Sequence, residues 1–370
     1  MWRRLVAWMQ SDGLKPGARS TPLQPRPVLA SPQLTEAPFS PNPGNLRMFL
    51  YLPESLKSGA PLVVVLHGCG QTANGYGAGA GWCELGQQLG FAVLAPEQKA
   101  VNNPNTCFNW FNPEDITRGQ GECASIAAMI GTMVETHRLS SARVFITGLS
   151  AGGAMTAAML STYPELFAGG AIIAGLPFGV AQNVRDAMEA MRSAPLRTPQ
   201  QWGDQVRAAS AHSGRWPKIS IWHGALDTTV NINNAQASVA QWANMHGLTL
   251  GAARQELVNG AMRLSWDSQL EFYTLPMLGH GTPIDSLDVG AVAPFILDAG
   301  VSSSRRIAQF WGLTRESVSV TAARPAPGRA ALPEEVLTEI EAALAPRQTL
   351  QPLAEGLIRR ALKAVRLLKR

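Results

Sequence analysis

Short apolar runs separated by polar or mixed segments recur through the middle of the chain. The first is RMFLYL (47–52), and six more follow it: LVVVL (62–66), FAVLA (91–95), RVFIT (143–147), GGAIIAG (169–175), KISIWHG (218–224) and LEFYTLP (270–276). Runs this short and this continuous are typical of strands that are covered on both faces. The pattern therefore predicts a buried sheet.

Helical spacing of apolar residues occupies several of the segments between these strands. It is clearest in three of them: ECASIAAMIGTMVETHRL (122–139), AGGAMTAAMLSTYPELF (151–167) and NNAQASVAQWANMHG (233–247). Parallel strands need crossover connections, and these are normally helical. The alternation predicts an α/β protein with a doubly wound, mostly parallel sheet and helices on both of its faces.

Changes in composition divide the chain into a body and two ends. Many prolines and little periodicity mark residues 1–44 as an extended leader, and the Pro/Ala/Arg stretch over 314–332 is typical of a linker. The folded body is predicted over 45–313, and a helical, basic C-terminal extension over 333–370.

The segment 176–217 separates two predicted strands by more residues than a simple crossover needs. It contains Phe178, Trp202 and Trp216. One interpretation is a cap over the functional site, in which Phe178 would contact the substrate. The other is that these aromatic residues fill a local subcore.

The last part of the extension, residues 352–370, has the pattern of a basic amphipathic helix. Its apolar positions are Leu353, Leu357, Ile358, Leu362 and Val365, and its basic positions include Arg359, Arg360, Lys363, Arg366 and Lys369. Such a helix either docks on the body with its basic side chains in water or contacts an anionic or apolar surface, such as a granule or a membrane.

The composition is that of a large globular protein. Of 370 residues, 46% are hydrophobic and 15% are charged, which allows a sizeable core. No stretch reaches the roughly 18 to 20 apolar residues that a membrane-spanning helix needs. The start, MWRRLVAWMQSDG, has too short an apolar stretch for a removable secretory signal, so we expect a cytoplasmic protein unless the start codon is misassigned.

The net charge of +5 comes from the two ends of the chain. Residues 352–370 hold six basic side chains and one acidic, and residues 1–50 hold six basic and two acidic, so the part between them is net negative. A nucleic-acid-binding enzyme more often carries its basic surface on the folded body. We therefore expect no nucleic-acid partner.

Four cysteines, Cys69, Cys83, Cys107 and Cys123, lie within one region of 55 residues. None forms a C-x-x-C pair or lies at a metal-ligand spacing from a histidine, so a zinc site is not expected. Two interpretations stay open: one or two disulfides that clamp loops, or four buried, reduced side chains.

The sequence GLSAGG (148–153) follows a predicted strand and precedes a predicted helix. A G-x-S-x-G turn at such a junction exposes its serine, here Ser150, as a nucleophile. In a chain with 35 glycines the pattern also arises by chance, so a base and a carboxylate are needed to support this interpretation.

The expected base is His280. In the α/β-hydrolase arrangement the order along the chain is Ser, then Asp or Glu, then His, each on a loop at the carboxyl end of a strand. His280 lies in the glycine-flanked loop LGHGTP, directly after LEFYTLPM. His212 and His246 are interpreted as surface or packing residues, and His67 and His223, each before a glycine at a strand end, as structural.

The expected carboxylate is Asp227, three residues after the predicted strand KISIWHG. An aspartate there can instead cap a turn or a helix. Asp267, Asp285 and Asp288 are weaker alternatives because they flank or follow His280.

An oxyanion hole requires two backbone N–H groups aimed at the charged oxygen. Ala151, next after the nucleophile, supplies one, and the loop HGCGQ after LVVVL supplies the other, with Cys69 in the donor position. A thiol nucleophile is the rival role for Cys69, but no histidine follows it in a comparable relation.

Eight segments, in order, give the chain a resemblance to the polyhydroxybutyrate depolymerase family of esterases. They span about residues 45–313 and read LHGCGQ (66–71), APEQ (95–98), CFNWF (107–111), RGQGECASI (118–126), VFITGLSAGGAM (144–155), SIWHGALDTTVN (220–231), GHGTPI (279–284) and RRIAQFWGL (305–313). The family has the α/β-hydrolase fold and is related to feruloyl and acetylxylan esterases.

The resemblance implies the roles of the site residues. Ser150, Asp227 and His280 take the catalytic positions, and Cys69 takes the oxyanion position. The resemblance also implies that Trp110 forms an aromatic wall of the substrate cleft. Many members of the family are secreted and disulfide-bonded, so secretion is the alternative location.

The function expected from the sequence is that of a serine esterase that needs no metal or cofactor. Its substrate would be a poly(3-hydroxybutyrate)-like polyester or its oligomers. A feruloyl or acetyl ester of plant polysaccharide is the runner-up, because it shares every catalytic requirement. A hypothesis of another class is a non-catalytic protein that binds a granule or membrane surface through residues 352–370.

Overall fold

The computed structural model describes residues 32–313. The predicted linker (314–332), the basic extension (333–370) and most of the leader lie outside the described residues. Within the described part, no helix is both long enough and apolar enough to cross a membrane.

Strands and helices alternate along the described chain. The first half contains β1 (Thr35–Ala37), β2 (Arg47–Tyr51), β3 (Leu62–Leu66), α1 (Ala73–Gly79), α2 (Trp82–Leu89), β4 (Ala92–Glu97), α3 (Pro113–Ile116), α4 (Gly121–Thr136), β5 (Val144–Leu149) and α5 (Ala151–Thr162). The second half contains β6 (Gly169–Ile173), α6 (Val184–Arg192), α7 (Pro199–Ala209), β7 (Lys218–Gly224), α8 (Asn233–Met245), β8 (Arg254–Val258), β9 (Ala261–Trp266), β10 (Leu270–Leu275), β11 (Thr282–Ile284), β12 (Ile296–Asp298) and α9 (Ser303–Trp311). Short 3₁₀ turns cover Pro164–Leu166 and Leu250–Ala252.

Ten of these strands form one sheet in the order β1-β2-β4-β3-β5-β6-β7-β10-β9-β8. The strands from β4 to β10 in this order are parallel, and the pairs at both edges are antiparallel. The predicted doubly wound, mostly parallel sheet is confirmed. From β3 the chain continues to β4 on one side of it and then to β5 on the other side. In such sheets, ligands bind beyond the carboxyl ends of the strands at the point where the strand order changes direction.

Buried helices cover both faces of the sheet. Along β3, Leu62 and Val64 belong to a core with α4, α5 and α8, whereas Val63 and Val65 belong to a second core with α1, α2 and α9. Every residue of β3 is buried, which explains its unbroken apolar sequence.

The structure adds strands that the apolar runs do not predict. Residues 35–37, inside the predicted leader, form the short edge strand β1, so the folded body begins before residue 45. Three residues are too few to show a periodicity. The antiparallel pair β8 and β9 also lies at an edge, with β8 largely exposed, and its Asn259-Gly260 turn, both residues at positive φ, is a hairpin signal present in the sequence.

Candidate active site

Ser150 lies in the turn between β5 and α5 with φ 58° and ψ −117°. A left-handed φ is strained for a serine. Close packing of strand and helix around the turn holds Ser150 in this conformation. A Cβ atom on Gly148 would lie 2.3 Å from the carbonyl oxygen of Gly152, and one on Gly152 would lie 2.3 Å from that of Leu66. Only glycine fits both positions, so the helix starts directly against the ends of β3 and β5.

Asp227 and His280 meet on the loops that follow the neighbouring strands β7 and β10. His280 Nδ1 lies 2.7 Å from Asp227 Oδ2, in a geometry for donation to the carboxylate. The Leu226 N–H also donates to the Leu278 carbonyl at 3.0 Å, which joins the two loops. The parallel pairing of β7 with β10 brings these two distant parts of the sequence together.

The Asp227 carboxylate is fully buried and surrounded by donors. Its Oδ1 atom accepts from the N–H groups of Thr229 (2.9 Å) and Val230 (2.8 Å). His223 Nε2 lies 3.3 Å from Oδ2 and 2.8 Å from the Val230 carbonyl. Burial acts to raise the pKa of Asp227, but hydrogen bonds from His223 and His280, with the charge on His280, outweigh it and hold the pKa below its ordinary value. Asp227 is thus an ionised acceptor for His280.

The Ser150 hydroxyl makes no hydrogen bond to His280 in the described part of the chain. The serine lies at the end of β5, which only β6 separates from β7 in the sheet. Catalytic hydrogen bonds are often long or poorly aligned without substrate. The structure therefore joins Asp227 to His280, and it places Ser150 at the same end of the parallel strands, their carboxyl end.

The other candidate residues lie in different surroundings. The Asp288 carboxylate pairs with Arg305, Asp285 accepts from the Leu287 N–H, and Asp267 is an exposed turn residue. His212 contacts Trp216, and His246 ends α8. These residues do not form the contact with His280 that Asp227 makes.

The loop after β3 adjoins the Ser150 turn because β3 and β5 are paired, with Leu66 opposite Gly148. Cys69 lies in this loop, and its sulfur forms a disulfide with Cys107. A thiol nucleophile at Cys69 is therefore excluded in this oxidised state. Ala151 is the first residue of α5, so its N–H has no partner within the helix.

His67 orients the peptide that precedes Cys69. Its Nε2 atom accepts from the Gln98 N–H at 3.1 Å, so Nδ1 carries the proton and donates to the Gly68 carbonyl at 2.8 Å. Burial lowers the pKa of His67, which favours this neutral form. In a planar trans peptide the Gly68 C=O and the Cys69 N–H point in opposite directions. The Cys69 N–H is therefore turned away from the carbonyl that His67 binds.

A buried polar network supports the two loops that the disulfide joins. Gln98 Nε2 donates to the Glu122 carboxyl group and to the Cys107 carbonyl, and the Asn109 N–H donates to Glu122 Oε2 at 2.9 Å. Burial and the nearby Asp115 charge raise the pKa of Glu122 to about 8. No role was predicted from the sequence for Gln98 or Glu122, although they lie in APEQ (95–98) and RGQGECASI (118–126), two of the segments that carry the family resemblance.

The four cysteines combine the two interpretations left open by the sequence. Cys69 and Cys107 are joined, with Cα atoms 4.2 Å apart, whereas Cys83 and Cys123 are free and buried. Cys83 packs in the core with α2 and Cys123 in the core with α4. The sheet separates these two thiols, so they cannot pair.

The predicted substrate-binding aromatics both pack in or against the core that contains α5. Trp110 is buried and contacts Phe111 edge-on, and Phe178 is joined to Gln241 by two hydrogen bonds. In the described residues, the aromatic ring next to His280 is instead that of Phe295, with ring centroids 5.9 Å apart. Contact of Trp110 or Phe178 with a substrate stays a prediction.

The segment 176–217 forms α6 and α7 and contributes to the same core. Trp202 is buried, and its carbonyl accepts from Gln241. The Met191 carbonyl accepts from the Asn231 N–H at 2.8 Å, so the end of α6 supports the loop that carries Asp227. These contacts fit the subcore interpretation, and a capping role stays a prediction.

Metal-ligating clusters and surface cavities were also sought in the described part of the chain. Within residues 32–313, no group of three or more His, Cys, Asp and Glu side chains is placed to hold a metal ion. A surface cavity of about 290 Å³ is lined by Phe167, Arg215 and Lys218 among others. It lies at the amino ends of β6 and β7, the edge opposite Ser150.

Residues 46–259 match the family described as esterase PHB depolymerase. Poly(3-hydroxyalkanoate) depolymerase C of Paucimonas lemoignei is 44% identical over 285 residues, which cover 74% of this chain and 69% of that protein. Acetylxylan esterase of Coprinopsis cinerea is 32% identical over 281 residues, which cover 72% and 74% respectively. The resemblance found in the sequence is confirmed.

The acetyl xylan esterase structure from Aspergillus awamori is similar to this one. The TM-score is 0.66 at 26% identity, and the match covers 76% of this chain and 99% of that chain. The α/β-hydrolase fold expected from the resemblance is confirmed.

The disulfide should be required for full activity because it holds the loop that carries the proposed Cys69 donor. We expect Cys107→Ser to lower kcat on a soluble ester by about 10- to 10²-fold. This loss is no larger than the decrease in kcat that follows removal of one oxyanion donor, because the Cys69 N–H would be displaced and not removed. Wild-type protein treated with a reductant should show the same loss, and Cys107→Ser should not respond to reductant. A fully active Cys107→Ser variant would contradict this role.

The raised pKa of Glu122 should make stability depend on pH. The folded state keeps a proton that the unfolded state releases between about pH 4.5 and pH 8, so the free energy of unfolding should fall with rising pH by up to about 1.4 kcal/mol per unit. Denaturant unfolding across this range should show the decline in wild type and in Glu54→Gln, an exposed control, but a flatter profile in Glu122→Gln. Equal slopes in the two variants would refute the assignment.

Proposed function

This chain belongs to the PHB depolymerase family of esterases and is a carboxylic ester hydrolase, and we propose that Ser150, His280 and Asp227 are its catalytic triad. The observation that carries the proposal is the hydrogen bond between buried Asp227 and His280. It lies at the carboxyl ends of the parallel strands, where the strained Ser150 turn also lies.

Each residue of the proposed triad has a separate task. His280 takes the Ser150 proton through Nε2, because its Nδ1 faces Asp227. The Ser150 oxygen attacks the ester carbonyl carbon, and Asp227 stabilises the imidazolium that forms. His280 then returns the proton to the leaving alcohol, and an acyl-enzyme remains on Ser150.

The backbone stabilises the charge that develops on the carbonyl oxygen. The N–H groups of Cys69 and Ala151 are the proposed donors. The two loops adjoin each other, and the hydrogen bond from His67 to the Gly68 carbonyl orients the Cys69 peptide. A water molecule, activated by His280, then hydrolyses the acyl-enzyme, and no step in this sequence calls for a metal or a cofactor.

The proposed substrate is a poly(3-hydroxybutyrate)-like polyester or its oligomers. The identity to a poly(3-hydroxyalkanoate) depolymerase, 44%, is higher than the 32% and 33% found with an acetylxylan esterase and with feruloyl esterase B of Thermothelomyces thermophilus. The fold shared with an acetyl xylan esterase supports an acetyl or feruloyl ester of plant polysaccharide as the second candidate. Contact with a granule or membrane surface through residues 352–370 stays a prediction.

Removing the proposed nucleophile should abolish hydrolysis. We expect Ser150→Ala to lower kcat on a soluble ester by about 10⁶-fold. Asp227→Asn should lower it by about 10⁴-fold, because the uncharged amide does not hold His280 in the required tautomer or stabilise its imidazolium. Asp267→Asn is the matched control, because it removes an exposed carboxylate from one of the alternative positions, and it should keep the wild-type rate.

A serine-directed phosphonate separates the enzyme from a non-catalytic binding protein. The folded wild-type chain should form an adduct at Ser150, detected by mass spectrometry of the peptide. Folded protein that shows neither an adduct nor ester hydrolysis would favour the surface-binding hypothesis.

The substrate class should be visible in initial rates. We expect a higher kcat/KM on 3-hydroxybutyrate oligomers than on methyl ferulate or acetylated xylan, with Ser150→Ala as the blank for each. The opposite order would replace the polyester by the second candidate and leave the triad intact.

A further inference from the structure

His223 lies on β7 with its side chain fully buried beside Asp227. The strand β7 is hydrogen-bonded to β6 on one side and to β10 on the other, and His223 lies opposite Thr274 of β10. Its ring is therefore attached to the sheet itself. Asp227 and His280, by contrast, lie on the loops that follow the strands.

The Nε2 atom of His223 faces two oxygen atoms of the Asp227 loop. The Val230 carbonyl, at 2.8 Å, is the nearer acceptor, and Asp227 Oδ2 lies at 3.3 Å. Because neither oxygen can donate, Nε2 carries a proton. In the neutral ring Nδ1 is then an acceptor, and no donor among the described residues reaches it.

A buried nitrogen atom without a partner makes the folded state less stable. A leucine at position 223 would be of similar size and would leave no polar side-chain atom unpaired. Packing alone therefore does not account for a histidine here. What the histidine adds is its Nε2–H group, so the role of His223 lies in the atoms that this group faces.

Val230 connects His223 to the proposed triad. Its N–H donates to Asp227 Oδ1 at 2.8 Å, and its carbonyl accepts from His223. The Thr229 N–H, in the same turn, donates to Oδ1 at 2.9 Å. His223 thus holds the turn that binds one carboxylate oxygen, and it lies next to the other oxygen, Oδ2, which His280 also contacts.

His223 also favours the charged form of Asp227. Burial acts to raise the pKa of this carboxyl group, and of the effects that lower the pKa, the hydrogen bond from His223 is the largest, ahead of that from His280. His280 gains and loses a proton in the proposed reaction, whereas His223 takes no part in the transfer.

We propose that His223 is a positioning residue of the reaction, which holds the Asp227 carboxylate from β7 in the orientation that His280 requires. The inference rests on the proposed triad and adds a fourth side chain to it. Because His223 is fully buried, it touches no substrate and acts through Asp227. Its loss therefore slows the chemical step and leaves substrate binding unchanged.

The test replaces His223 in the full-length chain and measures kcat and KM on a soluble ester. We expect His223→Leu, which removes the donor, to lower kcat by about 10- to 10²-fold, the cost of a misplaced catalytic group, with KM within about twofold of wild type. His223→Gln can place an N–H near the position of Nε2 and should restore most of the rate.

Rates are expressed per active site, so that unfolded protein does not contribute. Active sites are counted by phosphonate labelling of Ser150 that is run to completion. The matched control is His246→Leu, because His246 is a partly buried histidine at the end of α8, outside the site. This control should keep the wild-type kcat.

A double variant separates a role through Asp227 from a general structural role. In an Asp227→Asn background there is no carboxylate for His223 to hold, so the added His223→Leu change should lower kcat by less than about twofold. Equal losses in the two backgrounds would overturn the proposal. So would a wild-type kcat in His223→Leu, or a His223→Gln variant no faster than His223→Leu.

The proposed triad and the role of His223 can fail separately. An Asp227→Asn variant with the wild-type rate would overturn the triad itself. A slow Asp227→Asn variant together with any of the contrary His223 results would leave the triad intact and remove only the positioning role.

The tautomer of His223 can be measured in wild-type protein, where no substitution disturbs the fold. In protein labelled with ¹⁵N-histidine, NMR should show the His223 proton on Nε2, with the signal assigned by its disappearance in His223→Gln. A neutral ring with its proton on Nδ1 would place an acceptor against the Val230 carbonyl and would contradict the proposal.

Discussion

The hydrogen bond between Asp227 and His280 is the interaction on which the rest of the site depends. A buried carboxylate is costly unless donors surround it, and here the Thr229 and Val230 N–H groups and two histidines supply them. The donors keep Asp227 ionised, and an ionised Asp227 in turn selects the orientation of the His280 ring. The parallel strands β7 and β10 bring the two loops together.

The loop of the proposed oxyanion donor Cys69 has a different kind of support. It is a surface loop rich in glycine, so its conformation depends on contacts with other parts of the chain. The Cys69–Cys107 disulfide and the hydrogen bond of His67 to the Gly68 carbonyl hold it directly. Gln98, which pairs with Glu122, supports it through its bonds to His67 and to the Cys107 carbonyl. Donors that are already oriented need no reorganisation as charge develops on the substrate, which is why rigidity favours catalysis.

Several unfavourable features lie together near the Asp227–His280 pair. Ser150 and Phe295 have left-handed backbones, Asp227 is a buried charge, and the Phe295 side chain remains partly in contact with water. The two cores on either side of the sheet supply the stability that tolerates these costs. The site and the scaffold thus differ in physical character.

The amino-acid pattern was sufficient for the buried strands, the α/β class and the family, and it singled out Ser150, Asp227 and His280 as candidates. Each of these features has a signal within a short stretch of sequence: an unbroken apolar run, a glycine-flanked serine or a polar residue just after a strand. It was not sufficient for the pairing of Cys69 with Cys107, the position of Phe295 beside His280, or the edge strand β1. Each of these depends on which distant segments the folded chain brings into contact, and such a choice among many possible partners leaves no local signal.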